Sequence, residues 1–107
     1  ALWNKDFPEN LRILVVNDGG GGIFRLLEGP DRMPFFEEFS VTHHPVSLDL
    51  LSRSFGRNLQ RAEGLEELEE KLVSLFRTGA DTTVLEADTS GSENSRIFKE
   101  FLNHLQP

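Results

Sequence analysis

Residues 14–24 read LVVNDGGGGIF, and this segment decides how the rest of the chain is interpreted. The apolar run from Leu11 to Val16 shows little alternation, which is typical of a parallel strand buried on both faces. It ends at the polar pair Asn17-Asp18, and four consecutive glycines follow at 19–22. Open α/β sheets bind their ligands at the carboxyl ends of the strands. The segment therefore predicts a ligand-binding loop at the end of a buried strand.

Helix-like and strand-like patterns alternate after the glycines. Apolar residues at three- and four-residue spacing predict helices over 47–55, 65–76 and 92–105. Short strands are predicted over 58–61 and 82–87, the second because it is rich in β-branched residues. Strands that alternate with helices imply an α/β fold, with helices on the faces of a parallel sheet. We expect 31–44 to be irregular, and Trp3 and Phe7 to be packing residues.

The composition excludes several classes of function. The 107 residues include 18 acidic and 11 basic side chains, for a net charge of -7. Such a charge disfavours nucleic acid and anionic membrane surfaces as partners, because both attract clustered Lys and Arg. The absence of cysteine excludes disulfides, thiolate catalysis and zinc–thiolate sites. No apolar run has the length of a membrane span, so we expect a cytoplasmic protein. Because the first residue is not Met, we also expect a longer parent chain.

The polar pair and the glycines place oxygen donors beside unobstructed backbone. Asp18 can supply a carboxylate oxygen and Asn17 an amide, which suits Mg²⁺ held against a diphosphate. Glycines let the backbone approach a phosphate closely. A strand-to-helix turn without a ligand is the alternative for such a run. No Lys-Ser/Thr pair follows the glycines, so the loop is not a P-loop, and the spacing does not fit the dinucleotide pattern.

The segment from Val15 to Phe24, with Leu26-Leu27 after it, resembles the second half of the thiamine-diphosphate motif. More narrowly, it is similar to the 2-succinyl-5-enolpyruvyl-6-hydroxy-3-cyclohexene-1-carboxylate synthases of menaquinone biosynthesis. The resemblance continues through 36–39, 65–68 and 82–86. It implies that 1–107 is the C-terminal part of a thiamine-diphosphate-binding domain with a partial three-layer fold. The upstream Gly-Asp half of the motif is absent.

The same resemblance implies a role for each residue of the loop. Asp18 would be a side-chain ligand of Mg²⁺ and the Gly20 carbonyl a backbone ligand, although many relatives have Asn in place of Asp18. Ile23, Phe24 and Leu27 would border the substrate pocket, and core packing is the alternative for these three. No residue of the chain is assigned as catalytic. The implied cofactor-binding residues are Asn17, Asp18, Gly19, Gly20, Gly21, Gly22 and Ile23.

By resemblance, the parent enzyme binds thiamine diphosphate through Mg²⁺ and decarboxylates 2-oxoglutarate. It then adds the resulting succinyl-semialdehyde carbanion to isochorismate. In this family a glutamate that activates the cofactor comes from the N-terminal domain of a second subunit. We therefore expect the chain to be inactive alone, and the parent to be a homodimer or a homotetramer.

Other classes of protein stay open. Acetolactate synthase or a 2-oxo-acid decarboxylase shares the metal loop, but the continuation Gly-Gly-Gly-Gly-Ile-Phe favours the menaquinone enzymes. A receiver-like signalling domain also has an acidic pair after its first strand, but its later phosphorylatable Asp and its Lys are not found. An acidic interaction module without a ligand is the third alternative. His43, His44 and His104 are assigned no role. Arg25, Asp31 and Arg32 are interpreted as solvated, and a basic residue near a diphosphate or a dicarboxylate substrate is the alternative.

Overall fold

This computed structural model describes Leu2 and residues 4–106, without the side chains of Asp31 and Ser92. The chain divides into two compact units. Unit 1 contains the residues up to Val16 together with 46–88, and unit 2 contains 17–45 together with the residues from Thr89 onward. Trp3 lies outside the described residues.

Three strands form a parallel sheet with helices beside it, which confirms the predicted α/β class. They are β1 (Ile13–Asn17), β2 (Leu59–Ala62) and β3 (Val84–Asp88), and their order in the sheet is β1-β3-β2. In the parallel pairing of β2 with β3, Leu59 lies opposite Val84 and Ala62 opposite Ala87. Each strand begins one or two residues later than predicted and ends one residue later.

The helices follow the predicted order, and their ends have local causes. The α-helices are α1 (Phe36–Phe39), α2 (Leu48–Ser54), α3 (Leu65–Leu75) and α4 (Ser92–Leu105), and 3-10 helices span Gly22–Arg25 and Pro30–Arg32. Helix α2 begins where the Ser47 hydroxyl accepts a hydrogen bond from the Leu50 amide at 3.2 Å. It ends before Gly56, whose φ of +67° favours glycine. Helix α1 lies within residues predicted to be irregular. None of the described helices has the length and apolar character needed to cross a membrane.

The core of unit 1 lies between α3 and the sheet. Ala62, Leu75 and Leu85 are buried together, and Leu68 and Leu72 pack against them. Leu68, Leu72 and Leu75 belong to the predicted apolar stripe of α3, so the periodicity matches the packed face at these three positions. Leu65 and Phe76, at the two ends of the predicted stripe, are each 71% exposed. The ring of Phe7, also in unit 1, lies 4.0 Å from the guanidinium carbon of Arg57.

Strand β1 is less buried than predicted. Its residues alternate between half-buried and exposed positions, with Leu14 and Val16 on the exposed face. In the described sheet β1 is an edge strand, and β3 lies between the other two strands. The central strand β3, buried from Val84 to Ala87, has the burial that was expected for β1. The prediction that β1 is buried on both faces is therefore wrong for this chain.

Candidate functional site

The glycine loop follows directly from the carboxyl end of β1, where parallel sheets place their ligands. The carbonyl oxygen of Asn17, the last residue of β1, accepts a hydrogen bond from the Thr89 amide at 2.9 Å. Thr89 itself follows the last residue of β3. The loop therefore begins beside the segment that leads into α4, and both segments belong to unit 2.

The side chains of Asn17 and Asp18 shape the loop by accepting hydrogen bonds from its backbone. The Asn17 amide oxygen accepts from the Gly19 amide at 3.0 Å. One carboxylate oxygen of Asp18 accepts from Gly20 at 3.1 Å, and the other accepts from Gly22 at 3.0 Å. Local bonds of this kind are typical of Asn and Asp in turns. A carboxylate offers about four lone pairs, so each Asp18 oxygen keeps one acceptor direction for a cation.

The four glycines have different surroundings, and the constraints are strongest at Gly19 and Gly20. Gly19 has a φ of +73°, which side chains seldom allow. A Cβ atom at Gly20 would lie 2.8 Å from the Thr42 carbonyl oxygen, and one at Gly22 would lie 2.6 Å from an Asp18 carboxylate oxygen. At Gly21 the nearest atom would be the Ser40 carbonyl oxygen, 3.6 Å away, which is an ordinary contact. The loop is therefore closely packed at Gly20 and Gly22 but not at Gly21.

Three apolar residues after the loop are exposed in this chain. Ile23 and Phe24 lie in the 3-10 helix Gly22–Arg25, and Leu27 follows it. Their exposed fractions are 62%, 41% and 48%. Other large apolar side chains, such as Phe76 and Phe101, are exposed to a similar or greater extent, so exposure does not decide between a pocket wall and core packing. They remain available as the wall of a pocket.

A cleft of about 300 Å³ lies within unit 2, between the glycine loop and the beginning of α4. It brings a carboxylate, a guanidinium and two neutral polar side chains together with apolar side chains. Of the three predicted substrate residues Ile23 lines it, whereas Phe24 and Leu27 do not. The loop side contributes Asp18, Ile23 and Arg25, and the helix side contributes Asn94, Ser95 and Phe98.

Arg25 is held in a double ion pair, which corrects its interpretation as a solvated residue. Its two terminal nitrogens donate to the two Glu37 carboxylate oxygens at 2.5 and 2.8 Å, and its side chain is 15% exposed. The guanidinium carbon also lies 5.5 Å from the centre of the Phe36 ring. The hydrogen bond from Arg25 lowers the pKa of Glu37, and the His43 ring, 3.4 Å away, lowers it further. The pair joins residues twelve positions apart without helical periodicity, so no sequence pattern indicated it.

The loop fits the binding of Mg²⁺ against a diphosphate. Mg²⁺ is commonly held by one or two carboxylates, with substrate phosphates and water as its remaining ligands. Asp18 is exposed and offers that carboxylate, and Gly21 is exposed as well, whereas Gly20, the predicted backbone ligand, is buried. Within Leu2 and residues 4–106, no three His, Asp or Glu side chains are grouped to hold a metal by themselves. His43 contacts Glu37, and His104 lies in the last turn of α4.

Comparison with known proteins finds similar sequences along most of the chain. The chain is 34% identical over 105 residues, 98% of its length, to a 2-succinyl-5-enolpyruvyl-6-hydroxy-3-cyclohexene-1-carboxylate synthase from Flavobacterium johnsoniae. A synthase of the same name from Cytophaga hutchinsonii is 33% identical over 106 residues, which is 99% of the chain. Another from Corynebacterium diphtheriae is 40% identical over 94 residues, which is 86% of the chain. The chain spans only 19%, 19% and 18% of these three relatives. No protein-family model and no solved structure matches it.

Proposed function

The chain is homologous to one segment of the 2-succinyl-5-enolpyruvyl-6-hydroxy-3-cyclohexene-1-carboxylate synthases, and from this we propose that it carries part of their cofactor site. The protein that contains it would be a thiamine-diphosphate- and Mg²⁺-dependent transferase of menaquinone biosynthesis. It would decarboxylate 2-oxoglutarate and add the resulting succinyl-semialdehyde carbanion to isochorismate. Residues 1–107 would be the later part of the cofactor-binding domain.

The observation that carries the proposal is the geometry around Asp18. Two backbone amides, those of Gly20 and Gly22, hold the carboxylate at the end of β1. A side chain fixed in this way loses little conformational entropy when it binds a cation. Asp18 would give one oxygen to Mg²⁺, and the Gly20 carbonyl would give a second. Asn17 would fix the start of the loop through its bond to Gly19.

The glycines would keep this part of the site open for a diphosphate. The absence of side chains at 19–22 lets the backbone approach the phosphate oxygens. The close approach of Gly20 to Thr42 would fix the distance between the loop and the segment around Thr42, because a larger residue does not fit at position 20. Thiamine diphosphate supplies the carbanion chemistry when it is bound, while the protein orients it.

The exposed residues Ile23, Phe24 and Leu27 would form the apolar wall beside the metal loop. Ligand pockets are usually lined by apolar side chains with a few polar groups at defined positions. Ile23 meets this description directly, because it lines the cleft together with Asp18 and Arg25. Phe24 and Leu27 would contact substrate in the assembled enzyme, with the missing N-terminal domains and a second subunit completing the pocket. The chain alone would not turn over substrate.

Titration of cofactor into the full-length protein, with and without Mg²⁺, tests this function. Asp18→Ala removes one metal ligand, so Mg²⁺-dependent affinity for thiamine diphosphate should fall at least tenfold. Asp18→Asn should keep more of the affinity, because the amide oxygen can still bind the metal. Phe24→Ala should raise the KM for substrate while leaving Mg²⁺ affinity unchanged.

Glu28→Ala is the matched control, since it removes an exposed carboxylate of unit 2 that lies outside the loop. If Asp18→Ala leaves the Mg²⁺ dependence of cofactor binding at the wild-type level, Asp18 only shapes the turn. The proposed site would then be wrong.

A further inference from the structure

We propose that Arg25 binds a carboxylate group of the substrate in the cleft of unit 2, and that Glu37 is its positioning residue. The inference rests on the proposed function, because it is this function that makes carboxylates the ligands of the cleft. It goes further by assigning substrate selectivity to a side chain of this chain outside the metal loop.

The first support is the position of Arg25. It lines the cleft together with Asp18 and Ile23. Only 15% of its side chain is exposed, so the surrounding protein rather than water sets its conformation. A guanidinium keeps its charge at all ordinary pH values, and its planar fork matches the two oxygens of a carboxylate.

The second support is that Glu37 accepts hydrogen bonds from only some of the N–H groups of Arg25. A guanidinium carries five N–H groups, and the contact with Glu37 uses two of them. The side chain of Glu37 is 60% exposed, compared with 15% for that of Arg25. Phe36 also lies near the guanidinium. These contacts fix the plane of the fork and leave further donors for an anion.

The third support is the chemistry of the cleft as a whole. Asn94 and Ser95 add neutral hydrogen-bonding groups on the helix side, and Phe98 and Ile23 add apolar surface. The negative charge of Asp18 is shared with the amides of Gly20 and Gly22, and Mg²⁺ would neutralise it in the proposed holoenzyme. Arg25 would then be the cation that distinguishes a carboxylate substrate from an uncharged analogue. The cofactor diphosphate is the other anion that it could contact.

Steady-state kinetics of the full-length holoenzyme, with saturating cofactor and Mg²⁺, test the proposal. Arg25→Met should raise the KM for 2-oxoglutarate or for isochorismate about 10- to 100-fold, with kcat changed less than about threefold. Arg25→Lys should restore only part of the affinity, because an ammonium group lacks the fork. Arg32→Met is the matched control. It removes the same charge from an exposed arginine of unit 2 and should leave both KM values unchanged.

A second measurement separates a binding role from a merely structural one. Calorimetry with glutarate and with its monoamide, both unreactive, gives the preference of the holoenzyme for a second carboxylate. Arg25→Met should abolish that preference, and Glu37→Gln should reduce it, while cofactor affinity stays within about twofold of wild type. Equal KM values in Arg25→Met and Arg32→Met would overturn the proposal. A loss of cofactor affinity in Arg25→Met would also overturn it, by placing Arg25 at the diphosphate.

The proposed function can fail independently. If wild-type protein shows no Mg²⁺-dependent binding of thiamine diphosphate, the enzyme assignment is wrong. The same calorimetry on the cofactor-free protein would still decide whether Arg25 is a carboxylate site, through a preference for glutarate that Arg25→Met loses.

Discussion

Replacing Gly20 by alanine should distort the metal loop, whereas the same change at Gly21 should not. A Cβ atom at Gly20 would lie 2.8 Å from the carbonyl oxygen of Thr42 and 3.0 Å from its carbonyl carbon. Ordinary contacts begin at 3.4 Å, and both obstacles are backbone atoms that cannot rotate away. The loop or the segment around Thr42 must therefore move. Overpacking of this kind costs about 1–3 kcal/mol of unfolding free energy.

Gly21 provides the comparison within the same loop. Its φ is −57°, which any residue can adopt, and an added Cβ would meet only the Ser40 carbonyl oxygen at 3.6 Å. Alanine at such a position is neutral or stabilises by about 0.4–1 kcal/mol, because it restricts the unfolded chain. The two variants differ from wild type by the same methyl group, so their difference isolates the contact with Thr42.

Two assays on the full-length protein follow from this contrast. Denaturant unfolding of the apo-protein should show a loss of about 1–3 kcal/mol for Gly20→Ala and none for Gly21→Ala. Titration with thiamine diphosphate and Mg²⁺ should show at least tenfold weaker binding for Gly20→Ala, because displacement of the loop moves the Gly20 carbonyl. Equal unfolding free energies and equal affinities in the two variants would refute the reasoning.

Three further predictions concern other parts of the chain. Ser47→Ala removes the cap of α2 and should lower the free energy of unfolding by about 0.5–2 kcal/mol. Denaturant titration measures this loss, with Ser74→Ala at an exposed position of α3 as the control. Because its pKa is lowered in the folded state, Glu37 should stabilise the protein above its ordinary pKa of 4.5, and this contribution should disappear as pH falls through the lowered value. The difference in Tm between wild type and Glu37→Gln should therefore shrink between about pH 6 and pH 3, and a constant difference would contradict this. The isolated 107-residue chain should bind thiamine diphosphate with Mg²⁺ only weakly in calorimetry, and micromolar affinity would contradict the need for the rest of the protein.

Local patterns predicted the helices well, because helical periodicity and capping act over a few residues. The observed bounds of α4, residues 92–105, equal the predicted ones, and α3 differs by one residue at its end. The burial of β1 was misjudged, since an apolar run does not reveal whether a strand lies at the edge or the centre of a sheet. Position in the sheet depends on pairing between distant segments, and here β3 takes the central place.

In the candidate site, too, features formed by consecutive residues were predicted, whereas contacts between residues far apart in the sequence were not. The polar pair and the glycines were recognisable because they are consecutive in the sequence. The difference in available space at Gly20 and Gly21 could not be recognised from the sequence, because it depends on the nearby backbone atoms of Thr42 and Ser40. The pairing of Arg25 with Glu37 was missed for the same reason. Which loop residues bind cofactor or substrate stays a prediction until the variants are measured.

The open side of β1 affects how this chain behaves at high concentration. Within the described residues β1 is an edge strand, and its exposed Leu14 and Val16 give other chains an apolar template for β-pairing. Natural sheets suppress such aggregation with charged residues at their edges, and Lys at position 16 would supply one on the exposed face of β1. Val16→Lys would therefore be a solubilising change for recombinant work on this segment, made at a position that precedes the metal loop by two residues.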